Sequence, residues 1–174
     1  MRNHRIAPVL ALAVAVAVSL GVIGVAAGKS PKLSATPVFK LHLKPSQEVP
    51  KIQGLRADGV GSLTFDVTRD SAGVITAAEA IFYVNYSFPG SVEIIGLHVH
   101  QAKKGVNGPV LINSGVTPFT DADGAGNVTT IVASVDPAVV QAILKTPRDY
   151  YVNLHTTANP GGAMREQLHG VRKR

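Results

Sequence analysis

Two stretches of alternating apolar and polar residues constrain the fold of this chain most. One reads Gly-Leu-His-Val-His-Gln over residues 96–101, and the other reads Tyr-Tyr-Val-Asn-Leu-His-Thr over residues 150–156. A period of two is typical of a β-strand with one apolar and one polar face. The polar faces would carry His98 and His100 on the first strand and His155 on the second. If the two strands are neighbours in a sheet, three imidazoles converge on one surface.

Further alternating stretches predict an all-β domain built from about eight strands. The chain has 174 residues, enough for one domain with a sizeable core. It has no Cys, which excludes disulfides, thiolate metal ligands and thiol catalysis. Strands are predicted at residues 38–43, 61–68, 74–86, 92–101, 109–113, 128–135, 150–156 and 164–171.

One short helix is predicted over Pro137–Leu144, with Asp136 as its N-cap and Pro137 at its first position. Short strands separated by turns favour an antiparallel Greek-key β-sandwich or barrel. The acidic segment at residues 121–127 is predicted to be a turn, because it lacks the closing Glu of a calcium loop.

The N-terminus has the pattern of a secretory signal peptide over residues 1–27. Arg2 and Arg5 precede an apolar run that ends in small residues before Gly28. The alternative is an uncleaved anchor, because the run is nearly long enough to span a bilayer. Both interpretations place the rest of the chain in an extracytoplasmic space, with membrane contact only if the segment is retained.

The remaining segments are a linker at residues 28–37, a β domain at 38–171 and a basic tail at 172–174. The chain carries a net charge of +6, but no aromatic residues interleave with its basic ones. Nucleic-acid binding is therefore not expected. No Gly-x-Ser-x-Gly elbow or paired carboxylates are visible, and this favours a non-enzymatic protein.

Several motifs resemble, in order, the CHRD domain, a module named from chordin that also occurs alone in secreted bacterial proteins. The resemblance covers residues 38–170, with Glu166 where the family usually has Gly. It implies a β-rich extracellular module without a well-defined activity. The motifs lie at Gln47–Pro50, Leu97–His100, Gly105–Val110, Tyr151–Thr156 and Asn159–Gln167.

A second, local resemblance is to copper/zinc superoxide dismutases. The segment Gly96–His100 is similar to their copper-binding Gly-Phe-His-Val-His strand, and His155 and Gly161–Arg165 follow in similar order. This resemblance implies copper ligands and an arginine that guides an anionic substrate. The bridging and zinc ligands of that class are missing, because no His lies between His100 and His155.

His98, His100 and His155 are the candidate metal ligands. Neutral imidazole binds copper and zinc well, and three of them leave open positions on either metal. The alternative is that these imidazoles form hydrogen bonds with loop carbonyls, such as those around Asn107 and Pro160, and hold the loops in place.

Asn153 and Arg165 are the candidate supporting residues. Asn153 is predicted to lie beside His155 on the same face and to orient it. Arg165 is predicted either to clamp a carboxylate, Glu48 or Asp66, or to guide an anion.

The sequence therefore predicts a secreted, non-enzymatic CHRD-type β-sandwich with a binding or structural role, and with an unidentified protein or cell-surface partner. The competing hypothesis is a copper-binding or superoxide dismutase-like protein that uses the three-histidine site. Copper, or else zinc, is the cofactor that this second hypothesis requires.

Overall fold

The computed structural model describes residues 36–171, which form a sandwich of two antiparallel sheets. Sheet A has the strand order β1 (Val38–Leu43), β2 (Asp58–Arg69), β3 (Ile75–Ser87) and β7 (Ala125–Val132). Sheet B has the order β5 (Val110–Asn113), β4 (Val92–Gln101), β8 (Tyr150–Thr156) and β9 (Asn159–Gln167), and β6 (Phe119–Asp121) also pairs with β4. The predicted all-β sandwich is confirmed, and the sheets do not close into a barrel.

The core lies between the sheets and is formed by alternate residues of each strand, as a period of two requires. Sheet B contributes the apolar faces of β4 and β8, so their polar faces point away from the core. The fully buried side chains at the centre include Leu63, Phe65, Phe82, Val84, Leu97, Val99, Val152 and Leu154.

The single α-helix of the described residues, α1 (Pro137–Lys145), begins as the sequence predicted. The Asp136 Oδ1 atom accepts a hydrogen bond of 2.8 Å from the Ala138 N–H, and Val140 and Ile143 are buried against the core. Within residues 36–171, no helix is long and apolar enough to cross a membrane.

Three predicted strands begin earlier than the sequence suggested, and the first of them, β2, begins at Asp58 instead of residue 61. Strand β7 begins at Ala125 because the preceding turn is tight: Asp121 Oδ1 accepts a hydrogen bond from the Gly124 N–H. Strand β9 begins at Asn159, whose N–H donates to Thr156 Oγ1 in a short hairpin with β8. The three-residue strand β6 was not predicted.

The sheets are joined at one edge. Lys44, directly after β1, forms two backbone hydrogen bonds with Arg165 of β9, at 3.1 and 3.3 Å. This bridge brings the loop at residues 44–57 over the outer face of sheet B. A second loop, residues 102–109 between β4 and β5, contacts the first over the same face, because Asn107 Nδ2 donates to the Val49 carbonyl at 2.7 Å.

Candidate functional site

The outer face of sheet B is polar, yet it is buried. All seven residues of β8 are buried, so the strand is covered on both faces. Its outward side chains, Tyr151, Asn153 and His155, have exposed fractions of 2%, 0% and 6%. Buried polar groups are costly unless they find partners, so each polar atom on this face needs an explanation.

Three imidazoles meet on this face. Strand pairing places His98 opposite Asn153 and Gly96 opposite His155, so His98 and His155 are diagonal neighbours. One ring nitrogen each of His98, His100 and His155 lies within 4.8 Å of the other two. Among residues 36–171, no other group of three or more His, Asp or Glu side chains is placed to hold a metal ion.

Gly96 makes room for this arrangement. A Cβ atom at Gly96 would lie 2.9 Å from the Cε1 atom of His98, closer than real Cβ contacts allow. The missing side chain therefore lets the His98 ring lie over the strand and approach His155, with ring centroids 4.6 Å apart.

His100 and His155 each use Nδ1 to contact a backbone carbonyl. His100 Nδ1 lies 3.0 Å from the Gly108 oxygen, and His155 Nδ1 lies 2.9 Å from the Pro160 oxygen. A carbonyl oxygen can only accept, so each Nδ1 carries the proton and donates. In the neutral ring, Nε2 then presents a lone pair.

These two Nε2 atoms face each other at 3.3 Å. Two lone pairs at this distance repel each other unless a proton or a metal ion lies between them. A proton shared there would make one ring an imidazolium. Burial disfavours that form, because it lowers the pKa of both His100 and His155, and the positive charge of Arg165 lowers them further.

The distance suits a metal ion. Two nitrogen ligands at about 2.0–2.1 Å from a tetrahedral zinc ion are separated by about 3.3–3.4 Å. The observed separation of His100 Nε2 and His155 Nε2, 3.3 Å, falls in this range. His98 is the third candidate ligand; its pKa is lowered to about 4, chiefly by burial, and its buried Nδ1 has no hydrogen-bond partner.

Arg165 holds the two loops over this face. Its Nε donates to Glu48 Oε2 at 3.0 Å, Nη1 donates to the Val106 carbonyl at 3.2 Å, and Nη2 donates to Asn107 Oδ1. The guanidinium also lies 4.2 Å from the centre of the Tyr151 ring. Arg165 is only 2% exposed, so all three of its nitrogens point to protein groups rather than to solvent.

The arginine contacts connect directly to the imidazoles. The His100 ring stacks on Tyr151 at 4.8 Å with an angle of 5° between the planes. Glu48, the carboxylate that Arg165 contacts, is also unusual. Burial raises the pKa of Glu48 despite this contact, and Glu48 Oε1 has no hydrogen-bond partner.

The structure also places the remaining predicted residues. Asn153 lies on the same face as the imidazoles, but its Nδ2 is directed to the Gly161 carbonyl at 3.5 Å rather than to His155. Sequence reasoning did not single out Tyr151, although it alternates with Asn153 and His155. Asp66, the other acid considered for Arg165, belongs to β2 in sheet A.

Comparison with known families gives one match. The model of the CHRD domain family matches residues 39–168, in agreement with the resemblance carried by the sequence motifs. No curated protein and no solved structure matched the chain. The local similarity to copper/zinc superoxide dismutases therefore stays a prediction.

Proposed function

This chain belongs to the CHRD domain family, and we propose that it is an exported, non-enzymatic binding module whose sheet B holds one copper or zinc ion. The observation that supports the ion most strongly is the 3.3 Å separation between His100 Nε2 and His155 Nε2, while both Nδ1 atoms face carbonyls. When bound, a metal ion supplies the positive charge that two facing lone pairs require.

The three histidines would have different parts in binding. His100 and His155 form a preorganised pair, because the carbonyls of Gly108 and Pro160 fix both the tautomer and the ring orientation. His98 is less constrained and would complete the set from the neighbouring position on β4. Three imidazoles leave a further coordination position for water or another ligand.

Binding rather than turnover is supported by Arg165. Guiding an anionic substrate needs exposed donors, whereas the guanidinium donates to Glu48, Val106 and Asn107 and is 2% exposed. We therefore propose that Arg165 holds the loops at residues 44–57 and 102–109.

Export is supported by the signal-peptide pattern at residues 1–27, which lies outside the described residues. The mature module would then act in an extracytoplasmic space, with an uncleaved anchor as the alternative. A protein or cell-surface partner is the expected binding target of such a module.

A second candidate function is purely structural. The same hydrogen bonds tie His100 to Gly108 in one loop and His155 to Pro160 in the β8–β9 hairpin. In this role the imidazoles fasten the loops, and no ion is required.

Metal analysis of the purified full chain separates the two candidates. We expect one copper or zinc ion per chain in the parent protein and none in a His98→Ala/His100→Ala variant. The control is His42→Ala, which removes an exposed imidazole that contacts Asp58 on sheet A. If the parent binds no more metal than the double variant, even with copper and zinc in excess, the structural role stands alone.

A further inference from the structure

We infer that the three-histidine site selects a monovalent ion, cuprous copper, over zinc and cupric copper. The inference rests on the proposed metal binding and adds the identity and oxidation state of the ion. The selectivity follows from the charge of the ligands, of their hydrogen-bond partners and of the groups next to them.

The ligands themselves carry no charge. His100 and His155 donate their Nδ1 protons to backbone carbonyls, not to carboxylates, so these partners orient the rings and raise their basicity without adding a negative charge near the ion. No carboxylate within residues 36–171 forms a hydrogen bond with His98, His100 or His155. A divalent ion would therefore keep its full double charge in this site.

The surroundings do not supply a negative charge either. The buried carboxylate on this face, Glu48, is paired with Arg165 at 3.0 Å. That pair is neutral overall, and its positive member is the one that reaches towards the imidazoles. Arg165 contacts the Tyr151 ring, which also stacks on the ring of His100.

Burial makes the charge of the ion decisive. His100 and His155 are each 6% exposed, so an ion between them loses most of its hydration. The cost of transferring an ion from water grows with the square of its charge, which makes it about fourfold larger for a dication than for a monocation of equal radius. A dication also meets twice the repulsion from Arg165.

Cuprous copper fits the remaining requirements. Imidazole is a suitable ligand for copper, and a monovalent ion needs no fourth, anionic ligand to lower its charge in this site. Zinc and cupric copper would have to bring an anion or a hydroxide into the site to lower the net charge. The geometry of the imidazole pair permits a monovalent or a divalent ion, so the charge of the ion decides which one binds more tightly.

Competition titrations of the full chain measure the selectivity. Cuprous copper is titrated anaerobically with ascorbate against a bicinchoninate competitor, and zinc against a fluorescent zinc chelator. We expect cuprous copper to bind at least tenfold more tightly than zinc, and both to be lost in His98→Ala/His100→Ala.

A charge variant tests the cause of the selectivity. Asn113 lies directly opposite His98 on β5, and its Oδ1 accepts a hydrogen bond from Gly115 N–H, which an aspartate would keep. Asn113→Asp places a carboxylate on the imidazole face at a Cβ separation of about 5 Å. Because the attraction doubles for a dication, we expect about tenfold tighter zinc binding but only about threefold tighter cuprous binding. The control is Asn127→Asp, the same change on strand β7 of sheet A, which should alter neither affinity.

The outcomes separate this inference from the proposal beneath it. Zinc binding as tight as or tighter than cuprous binding, abolished in the double variant, overturns the selectivity and leaves the metal site intact. An unchanged zinc affinity in Asn113→Asp also overturns it, because charge would not be the limiting factor. If no metal binds better to the parent than to the double variant, the metal site itself is refuted.

Discussion

The outer faces of the two sheets carry similar residues in opposite environments. On sheet A, His42 and Asp58 form a contact of 2.8 Å with half of each side chain exposed. Over sheet B, Arg165 of β9 and Glu48 of the covering loop form a contact of 3.0 Å with 3% of each side chain exposed. Water can satisfy the first pair, whereas the second must be satisfied by protein or by a bound ligand.

The two faces also differ in how many of their buried polar atoms lack a hydrogen-bond partner. Within residues 36–171, five buried side-chain atoms have no hydrogen-bond partner, and three of them belong to the covered face of sheet B: Glu48 Oε1, His98 Nδ1 and Asn153 Oδ1. Incomplete satisfaction of a buried polar face is costly for stability, and it is often found where a protein binds something.

The largest expected effect comes from breaking the buried ion pair. Arg165→Met leaves the Glu48 carboxylate buried without its partner, so we expect a loss of about 3–5 kcal/mol in the free energy of unfolding. His42→Ala removes the exposed partner of Asp58 and should cost less than about 1 kcal/mol. Urea denaturation measures both. Equal losses would contradict the contrast between the two faces.

A smaller effect is expected at Gly162, which has a φ of +130° and packs against Asn153. An added Cβ would lie 2.3 Å from Asn153 Nδ2, so Gly162→Ala should cost about 3 kcal/mol through strain and steric overlap. The control is Gly73→Ala in the β2–β3 turn of sheet A. It has a φ of +83° but no atom within 4 Å of the added Cβ, and its cost should be about 1 kcal/mol. Thermal melting would show a similar drop for both variants if the covered face were loosely packed.

A smaller effect is expected in how the free energy of unfolding depends on acid pH, because His98 on the covered face is buried. In metal-free protein the pKa of His98 is lowered to about 4 by burial, whereas the unfolded value is about 6.5. Between these values the unfolded chain binds the extra proton, so stability falls as the pH falls through this window. Removing the imidazole removes this term. We therefore expect His98→Ala to lose less stability than the parent between pH 7 and pH 5 in chelator-treated melts, and parallel curves would contradict the buried setting of His98.

The smallest effect is expected on the open face. Ile131 of the edge strand β7 is 62% exposed, so Ile131→Thr should change the free energy of unfolding by less than about 0.5 kcal/mol. A loss comparable to that of Gly162→Ala would show that this face is covered in solution.

The sequence predicted which face of each strand a side chain occupies. It did not predict which distant segments of the chain cover that face. Alternation placed His98, His100 and His155 on the polar sides of β4 and β8, because side-chain direction follows from a local period. It left the partner of Arg165 open between Glu48 and Asp66. That choice depends on how strands far apart in the chain pair, and Arg165 and Glu48 are separated by 117 residues.

The loops were the least predictable part of the site. Hydrogen bonds from the imidazoles to carbonyls around Asn107 and Pro160 were one of the two alternatives that the sequence offered, and the bonds of His100 with Gly108 and of His155 with Pro160 are of this kind. The loop at residues 102–109 has no periodicity, however, so nothing in its sequence chose between the two alternatives or showed that Asn107 bonds Val49 across 58 residues. The tautomers of the imidazoles, and with them the facing lone pairs, follow from those loop carbonyls. They become visible only once the loops are in place.

The central claim, that the covered face of sheet B holds a metal through its three imidazoles, is tested most directly by X-ray absorption spectroscopy of the copper- or zinc-loaded full chain. We predict three imidazole nitrogens at about 2.0 Å from the ion. The His98→Ala/His100→Ala variant should lose this signal. A bound ion without imidazole scattering, or an identical spectrum from the double variant, would contradict the account.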